Sequence, residues 1–327
     1  MENEKVSILI PVYNREQLIS DTINSAMNQT YKNTEIIIID NKSTDKTYKI
    51  AKVFERKDAR IKVFQNKENI GPVRNWEKCV KYASGDFVKI LFSDDLMKRE
   101  FVTESLKCLK NNDDVAFVCT GVKIITPRGK IISKNLYFDT TGKHTTKEFI
   151  RRVLLGGHVS VSASHALFRK KDLLNCFLLN MPNKINSDFS MHAIGSDALM
   201  FLLIANRYDY IYFIRKYLTN YKSHSDSITI KSDTSQLILL HLLARAYFVE
   251  NFVHDLRLTK IFNSRILVNL AMYSKSSKLG LHKISDFYYR PITLRCDLFS
   301  FARYSFSALI KVIYRIVKKT WGKIHVS

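Results

Sequence analysis

The sequence predicts an α/β fold: a mostly parallel sheet with flanking helices, followed by a helical, basic C-terminal extension. Three observations predict it. Short apolar runs alternate with segments of helical apolar spacing over the first 120 residues, polar side chains collect where those runs end, and near residue 230 the pattern gives way to long helical stretches. Strands alternating with helices predict parallel pairing, because each crossover helix returns the chain to the same end of the sheet.

Residues 6–10 are the first apolar run, Pro11-Val12-Tyr13-Asn14 is a loop, and Leu18, Ile19, Ile23 and Met27 keep helical spacing after it. Residues 35–39 form a β-branched strand ending at Asp40, and Ser43 or Thr44 can cap a helix through Phe54. Residues 61–64 make a third strand. Pro72 can open the next helix, through Tyr82, since a first turn needs no N–H from it. Residues 87–92 are a fourth strand ending at Ser93-Asp94-Asp95, residues 97–109 return to helical spacing, and residues 115–118 form another strand.

A hairpin is expected over residues 122–132 around Thr126-Pro127-Arg128-Gly129, then a polar, mobile-looking stretch to about Lys147. Short strands and helices follow to about Tyr221, then a long helix over residues 235–252. The chain onward to Trp321 is expected to be helical, basic and aromatic. The expected division is 1–230, with halves 1–120 and 121–230, and an extension 231–327.

The chain carries 52 Lys+Arg against 30 Asp+Glu, a net charge of +22, which implies polyanionic company such as phosphorylated substrates, anionic lipid or nucleic acid. No nucleic-acid-binding motif accompanies the charge, so nucleic acid is not expected as a partner. Five cysteines, widely spread and without a C-x-x-C pair, indicate neither a disulfide framework nor a thiolate zinc site, and fit a reducing setting. The acidic Glu2-Asn3-Glu4 is unlike the basic start of a signal peptide. Arg303, Lys311 and Arg315 interrupt the most apolar C-terminal stretch, short of the about 18 residues of a spanning helix. A cytoplasmic protein is the expectation.

In open α/β sheets ligands bind beyond the carboxyl ends of the strands, where Asn14, Asp40, Asp94 and Asp95 all fall. The first loop, Pro11-Val12-Tyr13-Asn14-Arg15, lacks the glycine-rich phosphate turn of a dehydrogenase. Two adjacent carboxylates after a strand suit a hard divalent ion that shares its shell with phosphates, and equally suit a helix N-cap. Asp40 by itself reads as a strand-end turn residue as readily as a ligand.

The run from Val6 to Asn14, with Glu35-Ile36-Ile37-Ile38-Ile39-Asp40-Asn41-Lys42-Ser43-Thr44-Asp45, resembles the opening of the family 2 inverting glycosyltransferases. Asn69-Ile70-Gly71-Pro72-Val73-Arg74-Asn75 and the segment from Ala83 to Asp95 are similar to that family's third block, and the likeness extends over roughly the first 230 residues. The resemblance implies a GT-A fold in which Pro11, Val12, Tyr13, Asn14, Asp40 and Asp45 grip the base and ribose of a nucleotide-diphospho-sugar. It implies further that Arg74, Asp94 and His224 attend the diphosphate, and that Asp94 and Asp95 hold a divalent metal, Mn2+ or Mg2+. Phe92 departs from the family pattern, standing where the first Asp of an Asp-x-Asp motif is common.

Gly195-Ser196-Asp197 resembles the block carrying the catalytic base, which makes Asp197 the candidate, Asp188 its rival, and an ordinary N-cap the structural alternative. His158 is an expected part of the acceptor pocket. The function implied is inverting transfer from a UDP- or dTDP-sugar to a glycan or lipid-linked glycan, as in bacterial surface polysaccharide synthesis. An inactive membrane-bound scaffold of the same fold and a nucleotidyltransferase are the alternatives.

The tail carries Arg303, Lys311, Arg315, Lys318, Lys319 and Lys323 and no acidic residue from Phe301 onward. Lys311, Arg315 and Lys318 fall on one helix face and Ala302, Phe306, Leu309, Ile313 and Ile316 on another, with Tyr314 and Trp321 as interfacial aromatics. A helix lying on an anionic membrane surface is the expectation, which places the protein peripherally on the inner face of the cell membrane.

Overall fold

The computed structural model describes residues 4–275, 278–292 and 294–310. In chain order the elements are β1 (Val6–Val12), α1 (Ile19–Met27), β2 (Thr34–Asp40), α2 (Thr47–Glu55), β3 (Ile61–Gln65), α3 (Pro72–Tyr82), β4 (Phe87–Ile90), β5 (Leu96–Met97), α4 (Phe101–Lys110) and β6 (Val115–Ile125). There follow β7 (Ile131–Asn135), β8 (Gly142–Thr145), α5 (Thr146–Leu155), β9 (Ala166–Arg169), α6 (Lys170–Leu173), α7 (Phe189–His192), α8 (Ser196–Ala205), β10 (Tyr210–Lys222), α9 (Ile228–Lys231), α10 (Thr234–Phe252) and α11 (Leu256–Tyr273).

Among the described residues the strands form one sheet in the order β3-β2-β1-β4-β9-β6-β10-β5, with β7 on β6 and β8 on β10. β3, β2, β1 and β4 are mutually parallel, and β1 and β2 are buried along their whole length, which explains their unbroken apolar runs. β9 runs antiparallel to both β4 and β6, and β10 is parallel to β6, so β1, β2, β4, β6 and β10 all point the same way. Their carboxyl ends therefore open on one edge, bringing Asn14, Asp40, Asp94 and His224 together although they come from distant parts of the chain.

Contacts divide the chain into two compact units. One comprises residues through Met181 with Asp188–Lys231, the other Pro182–Ser187 with the chain from Ser232 onward. Residues 182–187, read from sequence as part of the first region, belong to the second. In that unit α10 and α11 pack together, and the Tyr288 hydroxyl donates to Asn263 Oδ1 at 2.7 Å in its interior.

Three sequence expectations are corrected. The helix expected over residues 97–109 begins at Phe101, because Leu96 and Met97 are captured as a strand against β10. The stretch expected to be mobile holds β7, β8 and the start of α5, and the Thr145 side chain caps α5 by accepting from Glu148 N. Residues 274–297 are not a helix; among those described, they contain only the 3-10 turn Ile284–Phe287. Residues 298–310 are helical again, and Lys311, Ile313, Tyr314, Arg315, Ile316, Lys318, Lys319, Trp321 and Lys323 lie outside the described residues.

Candidate active site

Two loops at the carboxyl edge are tied together by their own side chains. Asn14 takes the left-handed conformation at φ 49°, which asparagine tolerates better than most residues. It donates from its backbone N–H to Ser43 Oγ at 2.9 Å, and its Oδ1 accepts from Thr44 N at 2.8 Å. Asp45 accepts from Glu16 N and Thr47 N at 3.1 and 2.9 Å; burial pushes its carboxyl upward, and the bonds from Thr47 and Glu16 outweigh that, holding it below the usual range.

Asp40, fully buried, accepts from Ser43 N at 3.0 Å, from the Ser43 hydroxyl and from Gln65 Nε2 at 2.9 Å. A carboxylate has about four lone-pair sites, so these three donors leave it one. Pro11 and Val12 are buried within β1, whereas Tyr13 exposes 40% of its surface at the rim.

The adjacent carboxylates at the end of β4 part company. Asp94 Oδ2 lies 2.9 Å from His224 Nε2 and 3.6 Å from Arg15 Nε, joining the loop after β1, the turn after β4 and the loop after β10. Asp95, 6% exposed, instead bonds to the Ser164 side chain and the Lys222 backbone within the protein. Burial, with Asp94 next door, pushes its carboxyl well above the usual range, while burial pushes nearby Lys89 down. Lys89 is wholly buried, donates to Ser164 O and sits 3.9 Å from the Phe101 ring centre.

A divalent ion would therefore meet a carboxylate and an imidazole rather than two carboxylates. No group of three or more His, Cys, Asp or Glu forms a metal cage among the described residues. The pair Asp94 and His224 still fits an ion of the Mg2+ or Mn2+ kind, which takes one or two protein ligands and completes its shell with phosphate oxygens and water. Phe92, at the position where the family resemblance implies an Asp, is a half-buried apolar residue. Its ring centre lies 5.1 Å from that of Trp76, in a small cluster with Val73 and Ala193.

That cluster positions the segment carrying the candidate base. Gly71, at φ +82°, is the N-cap residue before α3, and a Cβ on it would lie 2.6 Å from Ser190 O and 2.9 Å from Met191 Cα. Only glycine lets α7 approach so closely. Asp188 caps α7, and bonds from Ser190 hold its carboxyl below the usual range. Arg74 pairs with Asp188 at 3.5 Å, and both are well exposed. Asp197, half-buried, lies in the first turn of α8 after Gly195, with Oδ1 2.7 Å from Ala198 N.

His158 stands 5.2 Å from Tyr137, ring centre to ring centre. Sequence reading missed Lys89, Ser164 and the role of Arg15. Only Arg15 left a signal, by following directly on Pro11-Val12-Tyr13-Asn14.

Comparison with known proteins bears on the family and the fold. A putative teichuronic acid biosynthesis glycosyltransferase, TuaG of Bacillus subtilis, is 34% identical over 146 residues, 43% of this chain and 58% of that protein. The Escherichia coli protein WfgD, named a UDP-Glc:alpha-D-GlcNAc-diphosphoundecaprenol beta-1,3-glucosyltransferase, is 37% identical over 126 residues, 38% of this chain and 48% of its own length. The curated relatives are thus matched over less than two thirds of their lengths, 21% in the case of an uncharacterized glycosyltransferase of Rickettsia felis. The structure of S. aureus TarS 1-349 in complex with UDP-GlcNAc shares the fold with a TM-score of 0.63 at 19% identity, over 86% of this chain and 78% of that one. The family model Glycosyl transferase family 2 matches residues 7–177, just over half of the chain, and the protein belongs to that family.

Proposed function

We propose that this protein moves a sugar from a nucleoside-diphosphate sugar to an acceptor hydroxyl in a single inverting displacement. The observation that carries the reading is the convergence of Arg15, Asp94 and His224 beside the Asn14–Asp40 loops, at the one edge where parallel strands release their polar residues. The loops bearing Tyr13, Asn14, Asp40 and Asp45 would receive the nucleoside. Arg74, one helical turn from Gly71, would swing from Asp188 to the diphosphate. Asp94 and His224 would hold a divalent ion, which supplies charge neutralisation at the departing diphosphate.

Asp197 would accept the proton of the attacking hydroxyl from the first turn of α8. One displacement needs no second carboxylate nucleophile, in contrast to a retaining glycosidase. Asp95, buried against Ser164, would hold the Asp94 turn in place rather than bind the ion.

WfgD is named for a diphosphoundecaprenol-linked substrate, and TarS was solved with UDP-GlcNAc; a uridine diphosphate sugar and a lipid-linked glycan are the substrates we favour here. A lipid-linked acceptor places the reaction at a membrane, and the helix over residues 298–310 suits that surface. Leu298, Phe299, Phe306, Leu309 and Ile310 are 83, 80, 67, 55 and 51% exposed, whereas Ser300, Tyr304 and Ala308 form the less exposed stripe. A helix that closed a core would turn its apolar face inward. The outward face, with Arg303 and the acid-free basic sequence after it, complements an anionic leaflet. No described helix is long and apolar enough to cross a membrane.

The test is a thermal-shift panel of nucleotide sugars with and without Mn2+, followed by transfer from the stabilising donor and NMR assignment of the product anomer. Donor binding without transfer or hydrolysis would favour an inactive scaffold, and nucleotide rather than sugar on the acceptor would favour a nucleotidyltransferase.

A further inference from the structure

Arg15 holds a place that neither the family match nor the names of relatives assign. It follows the Asn14 clasp, and its backbone N–H is fixed to Thr47 Oγ1 at 2.7 Å. Nη1 donates to Asn14 O at 2.9 Å and Nη2 reaches Asp226 O at 3.4 Å, two residues beyond His224. Nε faces Asp94 Oδ2 from 3.6 Å, beyond hydrogen-bond reach, and is buried with no acceptor. A buried guanidinium donor left short of an acceptor is rare, because desolvating it without a partner is costly.

Within the site, then, the loop after β1 presents a planar fork whose inner donor lacks an oxygen, at the carboxyl ends of β1 and β4. Phosphate oxygens are the acceptors such a fork matches. Arg74, the arginine singled out from sequence for this task, is drawn off to Asp188 at 3.5 Å and is a third exposed. On the reading that the site takes a nucleoside-diphosphate sugar, we infer that Arg15 is itself a ligand of the diphosphate. Its Nε takes a phosphate oxygen as acceptor, while Nη2 keeps the turn bearing His224 attached through Asp226 O.

The test is isothermal titration of the full chain with UDP, dTDP and GDP, each in EDTA and in Mn2+, together with NMR titration of the corresponding nucleosides. Wild type, Arg15→Ala and Arg15→Lys are compared, with thermal melts to confirm folding. The expected result is that Arg15→Ala weakens the preferred diphosphate at least tenfold in both media and leaves its nucleoside within twofold. Arg15→Lys should recover part of the loss, since it restores charge without the fork. Unchanged diphosphate affinity in Arg15→Ala overturns the inference, and so does an equal fall in nucleoside affinity, which would make Arg15 a builder of the loop only. If wild type binds none of the three diphosphates, the proposed function fails instead, an outcome distinct from either.

Discussion

Glu35 offers a measurement of how firmly the sheet beneath the site is held. It is 3% exposed near the amino ends of β1, β2 and β4, opposite the edge that carries Asn14, Asp40 and Asp94. Its carboxylate accepts from Ser7 Oγ at 2.6 Å, Ser84 N at 2.6 Å and Ser84 Oγ at 2.9 Å, with Lys5 Nζ at 3.2 Å. Burial pushes the carboxyl upward, but the bonds from Ser7 and Ser84 outweigh it and bring the pKa from 4.5 to about 2.

Because the folded value is the lower one, the stabilisation is fully present above about 4.5 and is lost as pH falls toward 2. At 1.36 kcal/mol per unit, the shift corresponds to about 3 kcal/mol at pH 7, and linkage leaves about 1.4 kcal/mol of it at pH 3. Glu35→Gln keeps the shape and removes the charge. Urea unfolding at the two pH values should give a variant less stable than wild type by about 2–3 kcal/mol at pH 7, the gap narrowing by about 2 kcal/mol at pH 3. A gap of the same size at both would show that charge at Glu35 contributes nothing and that the reasoning is wrong.

At the site itself, Asp94→Ala and His224→Ala should each weaken Mn2+-dependent nucleotide binding about tenfold or more, measured by titration with and without the ion; unchanged binding in both removes the shared-ion assignment. Asp197→Asn should leave donor affinity nearly intact and lower transfer by about 10²–10⁴, and near-normal turnover would exclude it as the base. Phe92→Asp, although it rebuilds the commoner motif, should cost about 2–4 kcal/mol by putting a carboxylate against Trp76 and should not raise Mn2+ affinity; tighter Mn2+ binding in a stable variant would contradict this. The full chain should co-sediment with phosphatidylglycerol vesicles, more weakly as salt rises, and Phe299→Ser/Phe306→Ser/Leu309→Ser should abolish this; equal binding by the variant, or none by wild type at low salt, counts against the membrane face.

Much of the sheet was legible because its central strands are buried on both faces and so appear as unbroken apolar runs. The carboxyl-edge residues followed from strand direction alone. What escaped was pairing decided by distant partners. Leu96 and Met97 read as the start of a helix until β10, more than a hundred residues later, takes them as a strand. Thr145 and Glu148 do carry a capping signature, three residues apart, at the end of the stretch expected to be mobile.

The site divides along the same line. Asp94 was legible from its place at a strand end and His224 only through the family resemblance, and the parallel run of β4, β6 and β10 explains why two residues so far apart in sequence meet. The inward turn of Asp95 was not legible, since it depends on Ser164, which also accepts Lys89 through its carbonyl and Phe92 N through its hydroxyl. Ser164 thus fixes both the strand leading into the Asp94 turn and the turn itself. Lys89, a charged residue within an apolar run, gives no hint in sequence that it points into the protein, because burial of a lysine is decided by the partners available to it. Phe92 departs from the Asp-x-Asp pattern that the resemblance implies, and it packs with Trp76 and Ala193 and so connects the Asp94 turn to the segment that carries Asp188 and Asp197. Of the two carboxylates that follow Phe92, Asp95 turns inward to Ser164 and Asp94 meets His224, which is the second candidate ligand.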